Sequence, residues 1–269
     1  MPPANDAFEL LRWAARICCA GIVLQSLELA SLWPELRPRR LLGRPGDEGE
    51  GGFAQQVPPR AQGFPASLFV LLGRAGAGLG VVLLAGGEAI NALLAALLLC
   101  QVYFNFRFRL VLTNADHLNL AILAAATVGT LPGVSPALRI AALGFVAFQA
   151  VLAYAASGIE KLRAGHWRAG ARLVQILQDS SHRFPRLGNR LAARPGWARA
   201  ASWAVAVGEV LFPLGLLLPP AGFFAVIAAG LLFHAALAVI MGLPMFFWSF
   251  AATYPALYFF HGYFASIRP

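Results

Sequence analysis

The feature that most constrains this chain is a succession of uninterrupted apolar runs rich in Leu, Ala and Val. Most approach the roughly 20 residues that a helix needs to cross a hydrocarbon core about 30 Å thick. They lack the in–out alternation of barrel strands. Inside a bilayer no water pairs the backbone N–H and C=O groups, so only helices or closed barrels satisfy them. The pattern therefore predicts an all-α, polytopic transmembrane bundle forming a single integral membrane domain over 1–269. Composition agrees: 59% of the 269 residues are hydrophobic, 12% are charged, and mean hydropathy is +0.67. A soluble domain carries about 25% charged residues.

Eight spans are expected: Trp13–Trp33, Ser67–Leu84, Ala89–Asn105, His117–Leu131, Leu138–Leu162, Trp197–Leu218, Gly222–Met241 and Pro244–Tyr263. Residues 34–66, rich in Pro, Gly and charge, read as a flexible loop. Residues 163–196 form an Arg-rich connection that opens on an amphipathic pattern. Trp167, Ala171, Val174 and Leu177 share one helical face, and Arg168, Arg172, Gln175 and Asp179 the other, as in a helix lying in the membrane interface. The first run contains Arg16 and Glu28 and lacks a small-residue cleavage site, so it reads as a retained helix rather than a signal peptide. No internal repeat or pair of broken helices is evident, which argues against a transporter.

Net charge is +9, and 20 of the 21 cations are Arg. No basic aromatic platform accompanies them, so nucleic acid is not an expected partner; membrane lipid headgroups are. With eight spans, fifteen arginines fall on one face: Arg37, Arg39, Arg40, Arg44, Arg60, Arg107, Arg109, Arg163, Arg168, Arg172, Arg183, Arg186, Arg190, Arg194 and Arg199. Arg12, Arg16, Arg139 and Arg268 fall on the other. The positive-inside rule then places the protein in the cell membrane with its basic loops cytoplasmic and both termini outside.

Cys18, Cys19 and Cys100 lie in apolar runs without CxxC spacing, so neither a disulfide framework nor a zinc site is indicated. No HxxxH or HExxH spacing marks a metal site. Ionisable residues within spans need a partner or a purpose. Glu28 and Arg74 lie at depths that differ by only about 3 Å and are expected to form a structural ion pair. Asp116 and His117 open the fourth span, Glu160 and Lys161 close the fifth, Glu209 lies in the sixth and His234 in the seventh. Helices bringing polar side chains to compatible depths is how bundle sites are built. An amine kept from bulk water sheds its proton more readily, and a neutral amine is a competent base. Glu160 points about 100° away from Lys161 on the helix and need not pair with it. Imidazoles nearby could stabilise a developing oxyanion. Such a cluster in an apolar pocket suits a lipophilic acid such as a quinol.

Four segments carry a resemblance at these residues: "NADHLNLAIL", "YAASGIEKLRAGHWRAGARL", "GEVLFPLGLLL" and "FHAALAVIMGLPMFFWSFAA". In this order they resemble the HTTM superfamily, the membrane domain shared with vitamin K-dependent gamma-glutamyl carboxylase. The resemblance implies that Lys161 is the base that deprotonates reduced vitamin K or menaquinol. The hydroquinone anion then reacts with O2 to give a strong base that drives carboxylation of glutamate by CO2, or another oxidative modification of a peptide or small substrate. It assigns His117 and His234 to the same site, and Glu209 is expected to support His234. Asp116, Glu160, Tyr154 and Trp167 are supporting residues in the matching segments. Glu160 stands where the carboxylase has a second lysine, and Asp116 where it has Asn. The other reading is a non-catalytic membrane factor for maturation of, or immunity to, a secreted peptide toxin, with a small precursor peptide as partner.

Overall fold

Proline sets where many of the helices begin. The computed structural model describes residues 4–31, 64–83, 88–107, 113–178 and 184–267. The helices are α1 (Ala4–Ser31), α2 (Phe64–Leu83), α3 (Glu88–Arg107), α4 (Asn114–Gly129), α5 (Pro136–Arg163), α6 (Gly165–Arg168), α7 (Ala171–Gln178), α8 (Pro185–Ala192), α9 (Pro195–Leu211), α10 (Pro220–Met241), α11 (Pro244–Ala251) and α12 (Tyr254–Ser266). Pro136, Pro185, Pro195, Pro220, Pro244 and Pro255 each sit in a first turn, where a missing N–H costs nothing and the fixed φ suits the helix. Ser135 adds a side-chain cap to α5, accepting from the Leu138 N–H at 3.3 Å.

The fold is all-helical, and no strand occurs among the described residues. Four helical segments are long and apolar enough to cross a membrane: Ala89–Phe106, Pro136–Arg163, Pro195–Leu217 and Pro220–Met241. The first, second, fourth and eighth expected spans are not among these four, and three of the eight differ from expectation for identifiable reasons. The fourth, α4, has 16 residues and reaches only about 24 Å. The sixth tightens after Leu211 into a 3-10 turn over Phe212–Leu217, where Pro213 cannot donate to an i−4 carbonyl. The eighth breaks at Ala252–Thr253 ahead of Pro255 and becomes α11 and α12. The expected 34–66 loop lies outside the described residues except for its last three, which begin α2.

α1 runs through the middle of the bundle and packs against α2, α4, α5, α11 and α12. Leu11, Ile22, Leu97, Ile122, Leu143 and Leu257 form part of the buried core. The expected amphipathic helix over Trp167–Leu177 is divided into α6 and α7. Gly170 adopts φ +81° between them, a conformation that favours glycine. A Cβ there would stand 2.6 Å from the backbone of Ala198 and Arg199, so the break also lets the connection lie directly on α9. Val174 and Leu177 are half-buried as expected, whereas Ala171 is exposed.

One close approach positions the site. At Gly158, on α5, a Cβ would stand 2.7 Å from the Ala206 carbonyl and from Val210 on α9. The missing side chain allows the two helices to meet and brings the face of α5 bearing Tyr154, Ser157 and Lys161 against Glu209. Overpacking a helix contact costs about 1–3 kcal/mol. Gly158→Ala is therefore expected to lower stability by that amount, read as reduced thermal unfolding temperature in nanodiscs.

Candidate functional site

Lys161 and Glu209 meet across the α5–α9 contact. The Lys161 Nζ donates to Glu209 Oε2 at 2.7 Å and to the Ser157 hydroxyl one turn earlier. The two charged side chains retain only 15% and 10% exposure, so their ion pair is largely shielded from solvent screening. The Trp167 ring lies 5.3 Å from the ammonium, within cation–π range. Trp167 is held there because its carbonyl accepts from Ser202 Oγ at 2.6 Å, which ties α6 to α9. Glu160 is exposed on the other side of α5 and takes no part.

A second group lies one turn below Gly158. The Tyr154 hydroxyl is 2.9 Å from His234 Nε2 and 3.0 Å from the Tyr254 hydroxyl. Phe212 stacks on Tyr154 with ring centroids 3.7 Å apart, and Phe250 stacks on His234 at 4.0 Å. Three helices, α5, α10 and α12, thus meet at Tyr154. Gly230 makes room: a Cβ there would stand 2.5 Å from the Tyr254 hydroxyl. His234 Nδ1 is buried without a hydrogen-bond partner among the described residues.

A cavity of about 480 Å³ joins the two groups. Tyr154, Glu209, Phe212, Val226, Gly230 and Phe233 are among its lining residues. The Glu209 carboxylate and the Tyr154 hydroxyl are the polar side-chain groups on an otherwise apolar wall. Lys161 and His234 stand behind them and hold them. Glu209 was expected to support His234; it binds Lys161, and Tyr154 is the partner of His234.

The remaining expected site residues lie in a different polar network. Asp116 Oδ2 accepts from the backbone N–H and hydroxyl of Thr113 at 2.9 and 3.0 Å, which caps α4. Its Oδ1 accepts from Gln25 Nε2 at 2.9 Å. Gln25 Oε1 in turn accepts from Arg74 Nη2 at 2.6 Å, and Gln101 Oε1 accepts from Arg74 Nε at 3.0 Å. The Arg74 guanidinium also lies 4.0 Å from the Phe104 ring centroid. The expected Glu28–Arg74 ion pair does not form among the described residues. Glu28 is exposed at the end of α1, and Gln25, about one turn earlier, takes its place. A neutral amide avoids the desolvation of a carboxylate and passes the charge of Arg74 on to Asp116.

His117 is exposed at the start of α4. No hydrogen bond, ion pair or ring contact among the described residues joins it to Lys161 or His234. The expected three-way convergence is therefore reduced to two members, Lys161 and His234, facing one cavity through Glu209 and Tyr154. Reasoning from sequence missed Ser157 and Tyr254. Ser157 was findable, because Tyr154, Ser157, Gly158 and Lys161 recur at the i, i+3, i+4, i+7 spacing of one helical face. Tyr254 reaches Tyr154 only because α11 and α12 separate, and no local pattern marks it. No group of three His, Cys, Asp or Glu side chains arranged to hold a metal occurs among the described residues. No family model matches this chain, and comparison with curated proteins and with solved structures finds no match.

Proposed function

We propose that this protein is an integral membrane enzyme that uses a reduced lipophilic quinone and oxygen. In this reading α1–α5, α9, α10 and the α11–α12 pair are the eight spans, with the arginine-rich connections cytoplasmic. The observation that carries the functional reading is the Glu209 carboxylate, held by Lys161, on the wall of an apolar cavity.

The lining fits a quinol head. Cofactor pockets measure about 300–1,000 Å³ and combine apolar walls with a few placed polar groups, and this cavity of about 480 Å³ has both properties. A bound quinol would supply the reducing equivalents for oxygen chemistry, spent on carboxylation by CO2 or another oxidative modification of a peptide or small substrate, as the resemblance to the carboxylase suggests. The chain's own groups would bind and deprotonate it. Glu209 accepts a proton from a ligand hydroxyl: the ligand O–H bond breaks and a Glu209 O–H bond forms. Lys161 pairs with the carboxylate, and its positive charge remains beside the reacting oxygen. Release of the Lys161 proton, followed by transfer from Glu209, resets the pair. Lys161 thus acts as a base through Glu209 rather than by touching the ligand. Tyr154, oriented by His234 and Tyr254, donates to or accepts from a second ligand oxygen. Ser157 and Trp167 fix the ammonium. Asp116, Glu160 and His117 have no part in this step.

The test uses purified protein in nanodiscs with menaquinol or reduced vitamin K and dissolved oxygen. Saturable, protein-dependent quinol consumption is the expected result. Saturable binding without consumption would refute the chemistry, and the absence of both would refute the reading altogether.

A further inference from the structure

We propose that the ligand carries an apolar tail that passes into the bilayer through a slot between α9 and α10, with Gly208 at its doorway. This deepens the quinol reading and rests on it for the identity of the head group. The two helices are consecutive and both line the cavity, yet they do not pack along each other; each packs against the 3-10 turn Phe212–Leu217 that joins them. At that turn Gly215 receives Val226 closely, with a Cβ position 2.8 Å from its side chain. The helices therefore diverge from a closed end and leave the cavity open between their flanks.

The flanks show where the opening leads. Ala204 and Gly208 on α9 and Ala229 on α10 line the cavity and are also exposed on the outside of the bundle. Both helices belong to segments apolar enough to cross a membrane, so this outer surface faces hydrocarbon. Polarity is confined to the inner end, at Glu209 and Tyr154. A molecule matching this distribution has one compact polar head and a narrow apolar chain. A wholly polar ligand would leave the slot unfilled, and a wholly apolar one would press hydrocarbon against the cavity side of the Lys161-paired Glu209 carboxylate with no hydrogen bond to offer, which is costly.

Gly208 separates tail from head experimentally. Gly208 lines the cavity, and a Cβ there would meet nothing within 4 Å, so a side chain starts in open space at the slot rather than against a packed neighbour. Leu also raises helix propensity relative to Gly. The experiment measures equilibrium binding of menaquinone-4, which is tailed, and menadione, which is not, in nanodiscs, with each concentration expressed as mole fraction in the lipid. Gly208→Leu is expected to weaken menaquinone-4 binding by about tenfold or more, equivalent to about 1.4 kcal/mol, while menadione binding changes by less than about twofold. Ala229→Leu, on the facing helix, is expected to give the same pattern. Unchanged menaquinone-4 binding in both folded variants overturns the proposal. So does equal weakening of both ligands, which would mean that the slot holds the head. Normal binding differences without quinol consumption would sink the proposed chemistry and leave the doorway standing. Normal consumption with unaltered binding in both variants would do the reverse.

Discussion

Glu209→Gln is expected to lower quinol turnover by about 10²–10⁴-fold, the usual contribution of a positioned general base. The substitution keeps the shape of the side chain and a hydrogen-bonding oxygen for Lys161, but the amide cannot take up a proton. The loss should therefore appear mainly in kcat, with ligand binding largely retained. Lys161→Ala is expected to produce a loss of similar size for a different reason. It leaves the Glu209 carboxylate, 10% exposed, without its counter-charge. Lys161→Arg discriminates between pairing and proton release: it can preserve the ion pair, yet a guanidinium does not deprotonate in a protein. Stability close to wild type with turnover still reduced is the expected outcome for that variant. Full activity in Lys161→Arg would confine Lys161 to electrostatic support.

The second large effect lies outside the cavity. Arg74→Met is expected to destabilise the fold by about 2–6 kcal/mol, because two amide acceptors lose their donor at about 1–3 kcal/mol each. Arg74 is fully buried and is the shared donor for Gln25 and Gln101. Its loss takes this donor from the buried Gln101 and half-buried Gln25 amide oxygens and removes the positive charge that faces Asp116 through Gln25. Because α1, α2, α3 and α4 all contribute to this network, the damage spreads across one side of the bundle. Reversible unfolding in bicelles measures it. The same variant, under conditions where it remains folded, should bind menaquinone-4 as the wild type does, since no residue of this network lines the cavity.

These two networks show what the sequence made legible and what it concealed. The apolar runs and their prolines located the helices because length and backbone chemistry act locally. Depth along a helix was also readable: Glu28 and Arg74, like Lys161 and His234, were expected at compatible levels from a fixed rise per residue. Direction around the helix was not. Gln25 rather than Glu28 faces Arg74, and His117 faces outward while its neighbour Asp116 is buried. Those choices depend on how α1 and α4 rotate against their neighbours, which packing decides. Partner choice was concealed for the same reason. Glu209 was expected to support His234, and the close approach at Gly158, by joining α5 to α9, pairs it with Lys161 instead. Lys161 and His234 stood out as ionisable residues within apolar runs, and the resemblance added roles for them. The cavity between α9 and α10 emerges only once the 3-10 turn after Leu211 sets those helices apart.

Whether Lys161 and Glu209 act on the ligand as one proton-accepting unit is read from a double-mutant cycle on quinol turnover. Residues that act as a unit are strongly non-additive in their kinetic effects. Lys161→Ala combined with Glu209→Gln is expected to be scarcely slower than either single variant. Independent, multiplicative losses, or wild-type turnover in either single variant, would contradict it.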